Sequence, residues 1–207
     1  MAEVKLEQMD NMQFDVLKEI GNIGAGNATT ALSQMLAVKI DMKVPKVDLL
    51  EFKDMGDLMG GAENIVVGIL LTLEGDIEGM MMFLLERSSA QNIVRMLMGG
   101  MCSGGEEGNF SEMELSALQE IGNIIAGAYL SSLSTLTNLT ITSSIPHMAI
   151  DMAGAILSVP AIEFGKISDR ALLIETEFGE EETEVNGYFI LIPTLESYSQ
   201  ILTSLGL

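Results

Sequence analysis

A stretch of 31 residues is written twice in this chain. Residues 15–45 and 116–146, set 101 positions apart, share 12 identities, among them Glu19/Glu120, Asn22/Asn123, Gly26/Gly127 and Pro45/Pro146. Both copies keep the spacing Asp/Ser-x3-Glu-x2-Asn-x22-Pro, with Asp15 and Ser116 at the first position. Packing explains a repeated set of apolar positions, because a core selects for shape and oiliness. It gives no reason to repeat a carboxylate and a carboxamide. The chain must therefore build one local structure twice and present the same two polar groups from each.

The repeat extends to the elements around it. Asp10-x-x-Gln13 and Ser111-x-x-Glu114 both have the form of a helix-opening capping box, again 101 apart. An apolar period of three to four follows each, through Val16, Ile20, Ile23, Ala31 and Met35 in one copy and Leu118, Ile121, Ile125, Ala128 and Leu136 in the other. Each half thus opens with a long amphipathic helix. A strand is expected next, over Val38 to Val47 and Leu139 to Ile145, stopping or bending at the matched proline. A short helical piece, around Lys53 to Met59 and Ala149 to Ala155, then leads into a hairpin. The hairpin strands read as Ile65 to Leu73 and Ile77 to Leu85 in the first half, and Ala171 to Phe178 and Glu184 to Ile192 in the second. Closing helices fall over Ser88 to Met98 and Thr194 to Leu205.

The predicted fold is α/β in the α+β sense: two α-β-α-β-β-α halves in pseudo-twofold arrangement, with both long helices laid on one shared sheet. Strand exchange between the halves is compatible with the same pattern. The expected organisation is a single domain over 1–207, with halves at 10–98 and 111–207 and a Gly-rich linker at 99–110.

On an ideal helix, with Asp15 at zero, Glu19 falls at about 40°, Asn22 at about −20°, Gly26 at about 20° and Ser33 at about 0°. Ile20, Gly24, Ala31 and Met35 fall at about 140° to 200°. The acid and amide thus crown the face opposite the core. Gly26 and Gly127 share their stripe. A glycine inside a helix costs about 1 kcal/mol relative to alanine, so close approach by another backbone is one reason to keep it there. Gly21, Gly24 and Gly122 lie on the buried side, where tight packing accounts for them.

Composition removes whole classes of function. The net charge of −20 opposes contact with phosphate backbones and anionic lipid heads, so neither nucleic acid nor membrane insertion is expected. Cys102 is the only cysteine, no disulfide can form within the chain, and the start MAEVKLEQMD lacks a signal peptide's apolar core; the cytoplasm is the expected compartment. His147 is the only histidine, which leaves no zinc cluster and no Ser-His-Asp triad, so no metal ligands are assigned. Gly24-Ala25-Gly26 lies inside a helix and is no dinucleotide loop. The acidic run from Glu175 to Glu184 reads as a solvated turn without calcium-loop spacing. Among the sixteen methionines, Met80, Met81, Met82, Met96, Met98 and Met101 are plainly explained as core filling; an adaptable partner surface is the sharper alternative.

The residues Asp15, Glu19, Asn22, Pro45 and Ser116, Glu120, Asn123, Pro146 match the signature of the CheC/CheX/FliY family of bacterial chemotaxis phosphatases, which the chain resembles over nearly its whole length. That resemblance implies docking on the phosphorylated response regulator CheY and hydrolysis of its aspartyl phosphate, with Mg2+ held by CheY and no cofactor held by this chain. It casts Asn22 and Asn123 as the groups that position the attacking water, since a neutral amide adds no charge beside the phosphoryl group. Glu19 and Glu120 become partners for a lysine of CheY. The resemblance also implies binding to the receptor deamidase CheD, for which Asp151, among the small residues Met148 to Ala155, is the candidate contact. A binding module that holds CheY or CheD without hydrolysis is the competing expectation.

Overall fold

In the computed structural model, residues 11–36, 39, 41–98, 110–164, 170–180 and 183–206 are described. The chain order is α1 (Asn11–Leu36), β1 (Asp41–Glu51), α2 (Phe52–Leu58), β2 (Ile65–Gly75), β3 (Gly79–Glu86) and α3 (Arg87–Leu97). It continues with α4 (Glu112–Thr137), β4 (Ile141–Ser143), β5 (His147–Met152), α5 (Ala153–Phe164), β6 (Arg170–Glu180), β7 (Thr183–Pro193) and α6 (Leu195–Ser204). Of the proposed linker at 99–110, residues 99–109 lie outside the described residues, as do Glu181 and Glu182 at the tip of the acidic turn and Asp10 of the first capping box. The second capping box is present. Ser111 N–H donates to Glu114 Oε2 at 2.7 Å, and Glu114 N–H donates to Ser111 Oγ at 3.4 Å.

Among the described residues, seven strands join one antiparallel sheet in the order β1-β6-β7-β3-β2-β4, with β5 also pairing β2. The halves exchange strands. β1, from the first half, pairs with β6 of the second, and β5 pairs with β2 of the first.

Period-two alternation separates two cores. Ile69 and Leu71 of β2, Phe83 of β3, Ile174 of β6 and Phe189 of β7 face α1 and α4, while Met82, Leu84, Leu173 and Ile190 face α2 and α5. Because helices cover both faces, β3 is buried from Gly79 to Leu85, which is why it reads as an unbroken apolar run rather than an alternating one. Met80, Met81 and Met82 belong to these cores.

The two long helices pack against each other through a small residue. A Cβ placed on Gly24 would stand 2.9 Å from the Tyr129 ring and 3.1 Å from its Cα. Asn27 Nδ2 donates to Ser132 Oγ across the same contact at 3.0 Å. Tyr129 in turn stacks on Phe189 with centroids 4.5 Å apart, and Phe189 on Phe83 at 4.7 Å. Burial pushes the Tyr129 phenol up to about 12, partly offset by its hydrogen bond with Thr176 Oγ1.

Several expectations need correction. Of the two outcomes expected at Pro45, a stop or a bend, the strand does not stop: β1 runs on to Glu51, and Pro45 falls where its register with β6 slips, between Lys43 and Lys46. A bulge on an edge strand is where a residue without an N–H is tolerated. The strand expected over Leu139 to Ile145 is the shorter β4, which stops ahead of Pro146, and a further strand, β5, starts just after the proline. β5 continues to Met152 where a helix was expected, because Ile65 to Leu70 of β2 would otherwise be left unpaired there. Asp151 is accordingly a strand residue, and the helix begins at Ala153. On the long helices, Ile23, Met35 and Leu136 are among the exposed apolar residues, while Leu17, Ala25, Ala28, Leu32 and Leu130 are buried.

Candidate functional site

The buried residues of α1, from Ile20 through Leu17, Gly21 and Gly24 to Ala25, span about 140° to 280° on the helical wheel. That arc leaves the opposite side to solvent. Asp15, Glu19, Asn22 and Gly26 are exposed there, and so are Ser116, Glu120, Asn123 and Gly127 on α4. The structure therefore brings each acid, amide and glycine onto one open face, twice. A Cβ added at Gly26 or at Gly127 would meet nothing within 4 Å, so the chain's own backbone makes no close approach at either position. The buried-side glycines behave otherwise. Gly122 sits directly on the Ile69 side chain, and Gly21 faces Val44, whose Cγ1 would lie 3.4 Å from an added Cβ.

The matched prolines flank these faces. Val44, one residue before Pro45, packs on Gly21, one residue before Asn22. In the second half Gln119 Nε2 donates to the Pro146 carbonyl at 2.8 Å, immediately before Glu120. Sequence inspection missed Gln119, since its counterpart 101 positions earlier is Lys18 and no period marks it.

Beside the first face, Phe14, Asp15, Lys46, Val47 and Asp48 line a concavity of about 280 Å3. Lys46 is paired with Asp48 at 2.9 Å, and that hydrogen bond and charge hold the ammonium above its usual range. The positions 101 later are His147, Met148 and Ala149, so the two faces differ in charge at their margins.

A roomier cleft of about 510 Å3 opens between α2 and α5, lined by Phe52, Gly56, Ala62 and Leu157 with Lys53 and Ser158. It lies on the other side of the sheet, contains none of the motif residues, and its lysine is paired with Glu51 at 2.7 Å. The chemistry argues for the motif faces instead. Among the described residues no group of three or more His, Cys, Asp or Glu is arranged to hold a metal ion. No described helix is long and apolar enough to cross a membrane. Asp151 is exposed on β5, where its Oδ1 accepts the Met152 N–H at 2.7 Å.

Comparison with known proteins coincides with these features. The model of the CheC-like family matches residues 12–48 and 113–146, which take in both motifs and both prolines. The CheY-P phosphatase CheC of Bacillus subtilis is 36% identical over 196 residues, 94% of each chain. The flagellar motor switch phosphatase FliY of the same organism is 29% identical over 146 residues, 70% of this chain and 38% of that one. The crystal structure of Thermotoga maritima FliY shares the fold, with a TM-score of 0.76 at 24% identity over 96% of this chain and 98% of that one. The chain belongs to the CheC-like family.

Proposed function

We propose that the protein dephosphorylates the aspartyl phosphate of the response regulator CheY. The observation that carries this reading is the paired exposure of Glu19 with Asn22 and of Glu120 with Asn123, in a chain 36% identical to a CheY-P phosphatase. An acyl phosphate is already an activated electrophile, so the catalyst has chiefly to hold one water in line with the P–O bond that breaks. The carboxamide oxygen of Asn22 or Asn123 accepts a hydrogen bond from that water, whose protons stay with the phosphate that forms. The water oxygen bonds to phosphorus, the aspartyl oxygen leaves with the bonding pair, and the products are inorganic phosphate and the free carboxylate. Glu19 and Glu120 pair with a lysine of CheY, because a carboxylate aimed at the phosphoryl group would repel it. The Mg2+ that offsets the phosphoryl charge belongs to CheY.

In this reading Asp15, Ser116, Pro45 and Pro146 support the motif faces, and Gly26 and Gly127 leave room for the partner's backbone. The two halves, 10–98 and 111–207, act as one domain, supported by the exchange of β1 and β5 between them. CheD is a second partner, with Asp151 exposed on an outer strand as its contact, and the protein works in the cytoplasm alongside both.

The test is the decay of CheY acyl phosphate with the wild type and with the Asn22→Ala/Asn123→Ala protein. Acceleration lost in the variant supports the assignment; an unimpaired variant overturns it. Retained binding of Asp151→Ala to CheD would remove that contact.

A further inference from the structure

Two methionines stand out on the faces that carry the acid and the amide. Met12 is 65% exposed and Met113 is 68% exposed, and they sit 101 residues apart, so each occupies the same place relative to its motif. Their neighbours have diverged, Asn11 to Glu112, Gln13 to Glu114 and Phe14 to Leu115, while the methionine is unchanged. On the helical wheel it falls at about 60°, next to Glu19 at about 40°. It lies about 10 Å from that glutamate along the axis, and the run from Met12 to Gly26 spans about 21 Å. Met80, Met81 and Met82 fill the core, and Met35 and Met152, at 42% and 45%, are less exposed than this pair.

From this placement we infer that Met12 and Met113 are the apolar anchors that seat the response regulator on each motif face, and so determine partner specificity. The inference deepens the phosphatase reading and rests on it. The net charge of −20 opposes approach of the partner's phosphoryl group, so short-range contacts have to supply affinity. A thioether with three rotatable bonds fits an uneven apolar patch and gains from desolvation. The matching surface on the partner is a small apolar patch about 10 Å from the lysine that Glu19 or Glu120 engages. Chemistry then stays with the amide while the methionine governs occupancy.

The test uses the full chain with Met12→Ala/Met113→Ala, and with leucine at both positions as the conservative version. Binding is read by titration with CheY activated by beryllofluoride, which needs no turnover. Kd and KM should both rise about tenfold, equivalent to about 1.4 kcal/mol, with kcat within about twofold of wild type and leucine restoring most of the affinity. An unchanged Kd overturns the inference, and so does a fall in kcat at constant KM. A lowered melting temperature accompanying lost affinity would assign the methionines to the fold and overturn it too. The Asn22→Ala/Asn123→Ala protein is assayed alongside. If it keeps its phosphatase activity the catalytic reading fails, whereas the beryllofluoride titration reports on the anchors alone.

Discussion

Gln119 donates a 2.8 Å hydrogen bond to the carbonyl of Pro146, fastening the corner between β4 and β5 to the helix that carries Glu120 and Asn123. Proline has no N–H to offer a sheet, so its carbonyl is the group left to anchor that corner, and the residue just before the motif glutamate reaches it. In the Asn22→Ala background, where turnover reports on the second face, Gln119→Leu should lower kcat on the order of tenfold. It should cost about 1 kcal/mol of stability. Steady-state phosphatase kinetics and urea melts check the two effects separately.

Loss of a single preorganised polar group from an active site costs on the order of 10²–10³ in rate. The Asn22→Ala/Asn123→Ala protein should fall by that amount while its thermal melt stays put, since both side chains are exposed. Each single variant should retain the activity of the untouched face. Decay of radiolabelled CheY phosphate measures all three.

The helical glycines divide by what surrounds them. Gly24→Ala drives a methyl into Tyr129 and should destabilise by about 1–3 kcal/mol, as overpacking does. Gly26→Ala has open space and should stabilise the fold by up to about 1 kcal/mol. If the partner's backbone needs that space, the more stable Gly26→Ala/Gly127→Ala protein binds activated CheY less well. Denaturant melts paired with the binding titration distinguish the two groups.

Alkaline pH should test the buried phenol. The pKa of Tyr129 is raised to about 12, above the unfolded value near 10. Its contribution is therefore complete below about pH 10 and is lost as pH rises toward 12, by about 2–3 kcal/mol at most. Tyr129→Phe should flatten the fall in stability over that window, at a cost near neutral pH of about 1 kcal/mol for the lost bond to Thr176. Burial pushes Tyr188 in the same direction, so some alkaline sensitivity should persist in the variant.

The motif faces were legible before any coordinates because they depend only on short-range geometry. A helix fixes the angle between positions three and four apart, so the spacing of Asp15, Glu19 and Asn22 alone put them on one side, away from Leu17 and Ile20. The capping box at Ser111 and the strands β2, β3, β6 and β7 were readable for the same reason: cap chemistry, or runs of apolar residues between turns. What the chain order concealed is which strands meet. That β1 lies beside β6 and β5 beside β2 depends on packing between residues 77 or more positions apart, for which local propensity carries no record. The same long-range demand overrode the helix expected at Asp151, because the edge of β2 needed backbone partners. It also carried β1 past Pro45 with a slip in register, while the strand of the second half stops ahead of Pro146. Gln119 gained its role only once the sheet had brought Pro146 beside it, since a hydrogen bond across 27 residues is decided by the fold and by nothing in the intervening sequence.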